Sequence, residues 1–165
     1  MNHSTRVVAP SATLEATFER ARQGSLRVSY SLRNTGAQPL MIPDRGVAVG
    51  GKLPALAGGE SAAPMLKVED GAATLTHAVV ALPKPAPTVP RIPLAARIEA
   101  RASHEAAFTV DLPTDVKRVR YCVAVAPFSE DAFTAVEGAN GIWRAAFGVA
   151  ETQALVCTSW FDLKR

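Results

Sequence analysis

The chain has 165 residues, 48% of them hydrophobic and 20% charged, with a formal net charge of +3. That length suits one domain able to bury roughly 70% of its unfolded surface, and the composition excludes wholesale disorder. No stretch approaches the roughly 18 apolar residues of a membrane span, and the basic residues are dispersed without interleaved aromatics, which argues against nucleic acid as a partner.

Residues 1–11 are expected to form a flexible N-terminal arm ahead of a single domain over 12–165. This terminus lacks the apolar core of a signal peptide. The compartment is therefore left open: cytoplasmic if Met1 is native, periplasmic or extracellular if an export signal has been removed. Met1-Asn2-His3 is similar to the amino-terminal copper- and nickel-binding motif, in which an amine, two amides and an imidazole surround a square-planar ion. Any chain with His third shows this pattern, so no metal site is assigned to it.

Ala12 to Arg20 alternates imperfectly and reads as a strand, with Thr13, Thr17 and Phe18 favouring strand over helix. In Ser25 to Asn34, Leu26, Val28, Tyr30 and Leu32 alternate with polar residues, the period of a half-buried strand. Asn34-Thr35-Gly36 supplies turn chemistry, and Leu40-Met41-Ile42 follows, so a strand–turn–strand unit is expected. From Gly46 to Pro64 the composition predicts a long connection with at most one short strand. Its Gly46-Val47-Ala48-Val49-Gly50-Gly51-Lys52 run matches the start of a phosphate-binding loop. Leu53-Pro54 follows where a hydroxyl residue and a helix are needed, so the run is read as a loop.

Met65 to Glu69 and Thr74 to Leu82 flank Asp70-Gly71, a hairpin signal with a turn expected to exceed two residues. Five prolines between Pro83 and Pro93 predict a stiff, extended crossover in place of central strand. Two P-x-x-P spacings there could serve an aromatic-groove domain, with the crossover preferred. Ser103 to Leu112 and Lys117 to Ala126 alternate clearly, the latter placing Val119, Tyr121, Val123 and Val125 on one face. Ser129 can cap a short helix near 129–137, with Phe133 and Val136 as its apolar side. Ile142 to Val149 and Gln153 to Leu163 are expected to return as strands.

This arrangement predicts an all-β antiparallel sandwich of about seven to nine strands with at most one short helix. Leu26 to Asn34, Ser103 to Leu112, Asp115 and Arg118 to Ala126 resemble the second and late strands of immunoglobulin-like and fibronectin type III-like sandwiches. The resemblance is architectural. Tyr121 immediately precedes Cys122 where antibody-type domains separate the two, no early strand carries a Cys, and neither Trp143 nor Trp160 falls in the third strand.

Cys122 and Cys157 fall in two late strands and could form a disulfide; without C-x-x-C or a nearby His they do not suggest zinc or a catalytic thiol. His3, His77 and His104 have no ligand spacing. His77 is expected to be a hydrogen-bonded core or edge residue and His104 to lie at the surface. No serine elbow occurs. The remaining candidates are Phe128, Phe133, Trp143 and Arg144, aromatic and Arg residues on one loop region, the types that anchor interfaces. The expected function is a non-catalytic binding or accessory module of the protein–protein type, with the bacterial cell envelope as one setting and no cofactor. A small-ligand or metal carrier using His77, His104, Met41 or Met65 is the alternative, and an enzyme stands third.

Overall fold

Two sheets are built from these alternating runs and packed on one core. The computed structural model describes residues 2–22 and 24–163. The first sheet holds four antiparallel strands in the order β1 (Asn2–Val8), β2 (Ala12–Arg20), β3 (Ser25–Asn34) and β9 (Ser103–Asp111). The second is centred on β10 (Arg118–Pro127). Its path runs from β11 (Phe133–Ala135) through β12 (Trp143–Ala145), β8 (Arg91–Ile98) and β4 (Leu40–Ile42) to β10. It continues to β7 (Ala72–His77) and ends on the edge strand β6 (Met65–Glu69). Three short strands join off this path: β5 (Val47–Val49) on β8, and β13 (Ala154–Cys157) and β14 (Phe161–Asp162) on β10. β7 and β10 are parallel.

The core follows the alternation. Leu26, Val28, Tyr30 and Leu32 of β3 share a buried cluster with Val119, Tyr121, Val123 and Val125 of β10. Burying each such side chain contributes roughly 1.5–3 kcal/mol before the entropic cost of ordering it. A second, smaller cluster gathers Met41, Val79, Ala95, Phe133 and Val149.

Several expectations change. The 1–11 arm is largely strand: Val7 and Val8 pair with Leu14 and Thr13, and the pairing continues to Asn2↔Glu19. Met1 lies outside the described residues, and with it the Met1-Asn2-His3 motif as a unit. His3 stacks on Phe161 at 5.3 Å. Strand β3 does not form a hairpin with β4; the two belong to different sheets. Asn34 is fully buried, accepts from Gly36 N–H at 3.0 Å and donates to the carbonyls of Gln38 and Ile98. Its side chain therefore stabilises a crossing between sheets, using the same residues a hairpin turn would use.

The described residues hold fourteen strands, more than the seven to nine expected, because single runs break into short pairings such as β13 and β14. Position 129–137 is not helical: Ser129 caps one turn through Ala132 N–H, then Phe133 enters the second core and pairs with Ala145. The one short helix among the described residues is α1 (Val149–Thr152). The Asp70-Gly71 turn is a two-residue turn with φ of 51° and 76°, which Asp and Gly tolerate. Gly50 and Gly51 make a second such turn between Val49 and Lys52, so the phosphate-loop look-alike is a tight reversal. The proline crossover is shorter than 83–93, since β8 already includes Pro93. Leu94 N–H donates to Gly46, so the proline nitrogen points away from β5.

Candidate functional site

Three regions compete for a functional role, and each is built from different parts of the two sheets. The first is a buried polar network. Tyr30 donates to Asp44 Oδ2 at 2.5 Å, and His104 Nε2 donates to the same oxygen at 2.8 Å. Arg45 Nε reaches Asp44 Oδ1 at 3.0 Å. On the other side of the Tyr30–Tyr121 ring pair, His77 Nε2 donates to the Ala62 carbonyl at 2.7 Å. A carbonyl can only accept, so Nε2 carries the hydrogen and neutral Nδ1 accepts from Tyr121 Oη, also at 2.7 Å.

Tyr30 and His104 come from the first sheet, whereas Tyr121 and His77 come from the second and Asp44 follows β4. The network thus links the layers by hydrogen bonds. His104 is half-buried and bonded to Asp44, which corrects its expected surface role. No buried side-chain nitrogen or oxygen among the described residues lacks a partner.

Burial alone would push the Asp44 carboxyl up. The hydrogen bond and charge of His104, with Arg45 and Tyr30, outweigh it and hold the group at about 2. Burial keeps His77 below its ordinary value, against the opposing hydrogen bond to Ala62. Both shifts make stability fall with acid, in two steps. Below about 6.5 the unfolded chain protonates His77 while the folded chain resists, so stability declines. Below about 3.9 the unfolded Asp44 protonates first, and the stability carried by its ionised form drains away towards pH 2. Melting temperature followed by circular dichroism should fall between about pH 7 and 5.5, and the step should be absent in His77→Gln. A flat profile over that interval would refute the assignment.

The second region holds the four loop candidates. Phe128, Phe133 and Trp143 meet: Phe128 stacks on Phe133 at 6.2 Å and meets Trp143 edge-on at 5.2 Å. Arg97 lies 4.2 Å over Phe128 and 5.5 Å from Trp143, while bonded to Glu99. Phe133 is buried, and Phe128 and Trp143 pack against the second core. Arg144 is exposed and stands apart from this stack. The cluster therefore closes one end of the core, with Arg97 the cation that seals it.

The third region was not anticipated. A groove of about 540 Å³ runs between the Pro43–Val47 segment, the start of β6 and the chain after β7. Five prolines wall it: Pro43, Pro54, Pro83, Pro87 and Pro93. Met65, Val80, Leu82 and Phe147 supply its apolar surface, and Arg91 is the one charged side chain lining it. Asp44, Ala62 and His77 of the buried network each adjoin a groove residue in sequence, Pro43, Ala63 and Ala78. No family model matches this chain, and no curated protein or solved structure does either.

The carrier residues are scattered. Met41 is in the second core, His77 and His104 occupy separate branches of the network, and only Met65 reaches the groove. No group of three or more His, Cys, Asp or Glu that could hold a metal ion occurs among the described residues. Cys122 and Cys157 are joined as a disulfide across the paired strands β10 and β13. No helix of the described residues is long and apolar enough to cross a membrane.

Proposed function

We propose that this protein is a non-catalytic binding module that takes an extended stretch of another polypeptide in the proline-walled groove. One observation carries the reading. Met65, Val80 and Leu82 are 45%, 56% and 37% exposed and converge on one concavity. Grouped apolar exposure of this kind costs solubility unless something covers it, and it marks interaction sites on soluble domains. Among the described residues the neighbouring strand β6 pairs only with β7, so its outer backbone groups are open to an added strand.

In our reading the aromatic corner of Phe128, Phe133 and Trp143, at the opposite edge of the same sheet on β11 and β12, is a packing cluster and leaves Arg144 as a peripheral contact. A second reading, a carrier of small apolar ligands, is favoured by one feature. The groove volume falls in the roughly 300–1,000 Å³ range of small-molecule sites.

Selection of a random octapeptide display library on the immobilised protein separates the two. Peptides with alternating apolar residues should enrich, and their affinity should fall about tenfold or more in Leu82→Asp, equivalent to at least ~1.4 kcal/mol. Leu82 is exposed enough that the melting temperature should stay within about 2 °C. Native mass spectrometry showing a co-purified small apolar ligand, with no peptide enrichment, would replace this reading with the carrier.

A further inference from the structure

Resting on the groove reading, we infer that the segment it takes is acidic as well as apolar, with a carboxylate seated on Arg91. The support is the distribution of charge along the three stretches that build the walls. From Gly71 to Ile98, which supplies β7, the rim at 78–90 and β8, the chain contains no Asp or Glu, only Lys84, Arg91 and Arg97. In the 43–65 wall the two acids are already engaged. Asp44 is fully buried against Tyr30, His104 and Arg45, and Glu60 is bound by Arg27 at 3.0 Å. Of the stretch around Phe147 only Phe147 itself lines the groove; Arg144 and Glu151, the nearest charges on either side in sequence, do not.

Glu69 lies at the far end of β6 from Met65, paired with Lys67 at 2.9 Å. Arg97 is taken up by Glu99. Of the charges on the 43–65 and 71–98 stretches, those left over, Lys52, Lys84 and Arg91, are all cationic and exposed. None meets a carboxylate at ion-pair distance among the described residues. Arg91 alone of these lines the apolar concavity, and its planar fork suits bidentate contact with a carboxylate. The surrounding cations favour encounter with an acidic chain and disfavour a basic one, so the charge acts on partner choice and association rate.

The same octapeptide library tests this by charge reversal. On the wild-type protein, enriched peptides should combine alternating apolar residues with at least one Asp or Glu. Their affinity should drop severalfold when salt rises from about 0.05 to about 0.5 M. On Arg91→Glu, checked for an unchanged melting temperature, the acidic peptides should lose about tenfold or more and the selection should shift to peptides carrying Lys or Arg. If apolar peptides enrich with no preference for acids and Arg91→Glu selects the same set, the inference falls while the groove reading stands. If nothing enriches above a Leu82→Asp control, both fall.

Discussion

Asp44→Ala should lower the melting temperature by roughly 10 °C or more, the largest effect expected of any single substitution outside the apolar core. Asp44 is fully buried and receives hydrogen bonds from Tyr30, His104 and Arg45. Removing it leaves a phenol, an imidazole and a guanidinium facing a cavity, with no other carboxylate among the described residues at ion-pair distance of Arg45 or His104. Breaking a buried ion pair from one side costs about 3–5 kcal/mol, and for a chain of this length each kcal/mol corresponds to roughly 2–4 °C. Asp44→Asn should fall between, because the amide oxygen can still accept from one donor while its NH₂ meets another donor. Differential scanning calorimetry of the two variants checks the order. Equal melting temperatures for wild type and Asp44→Ala would show that the network carries no stability. Because Pro43 and Gly46 line the groove on either side of Asp44–Arg45, enriched peptides should also bind the Ala variant less tightly.

The contrast between the core and this network explains what could be read in advance. Strands β2, β3, β9 and β10 are long and alternate with period two, so Leu26 to Leu32 and Val119 to Val125 announce both their strand state and their buried face. Pairing is a different matter. Asn34-Thr35-Gly36 is equally good chemistry for a hairpin and for a crossing between sheets. What decides is Asn34 reaching Ile98, 64 residues away, which no local pattern encodes.

The network is hidden for the same reason. Tyr30, Asp44, His77, His104 and Tyr121 are spread over most of the chain with no motif spacing, and Asp44 follows a proline like any turn residue. A signal was present at His77 and Tyr121, polar groups on otherwise apolar strand faces, where a buried polar atom demands a partner. The groove is obscured by composition. Its walls come from the Gly- and Pro-rich stretches that read as connections, and Val80 and Leu82 look like the end of a strand that in fact stops at His77. The aromatic loop was visible because Phe, Trp and Arg stand out by residue type; that they close a second core depends on Met41 and Ala95 arriving from β4 and β8.

Replacing both members of the disulfide, Cys122→Ala with Cys157→Ala, should destabilise the protein by roughly 3–4 kcal/mol. The bridge closes a loop with a sequence separation of 35. The loss of chain entropy in the unfolded state for a loop of that size is about 12–13 cal/mol/K, or about 3.8 kcal/mol at 25 °C. A melting-temperature drop on the order of 10 °C follows. The loss should be concentrated at the C-terminal end of the chain. Strand β13 holds β10 through only four register pairs, Cys122↔Cys157 to Val125↔Ala154, and β14 adds two more. Beyond the bridge, Thr158 N–H donates to the Tyr121 carbonyl, Tyr121 N–H donates to Thr158 Oγ1, and Trp160 carries Arg118 and Arg120 at 4.6 Å each. Without the covalent tie, residues 154–163 are held by these contacts, by Val156 in the core and by Phe161 stacked on His3 and Phe18, and amide hydrogen exchange there should accelerate more than in β3 or β9. Uniform acceleration across both sheets would instead mean that the bridge stabilises the whole sandwich cooperatively, and an unchanged melting temperature would show that pairing with β10 suffices without it.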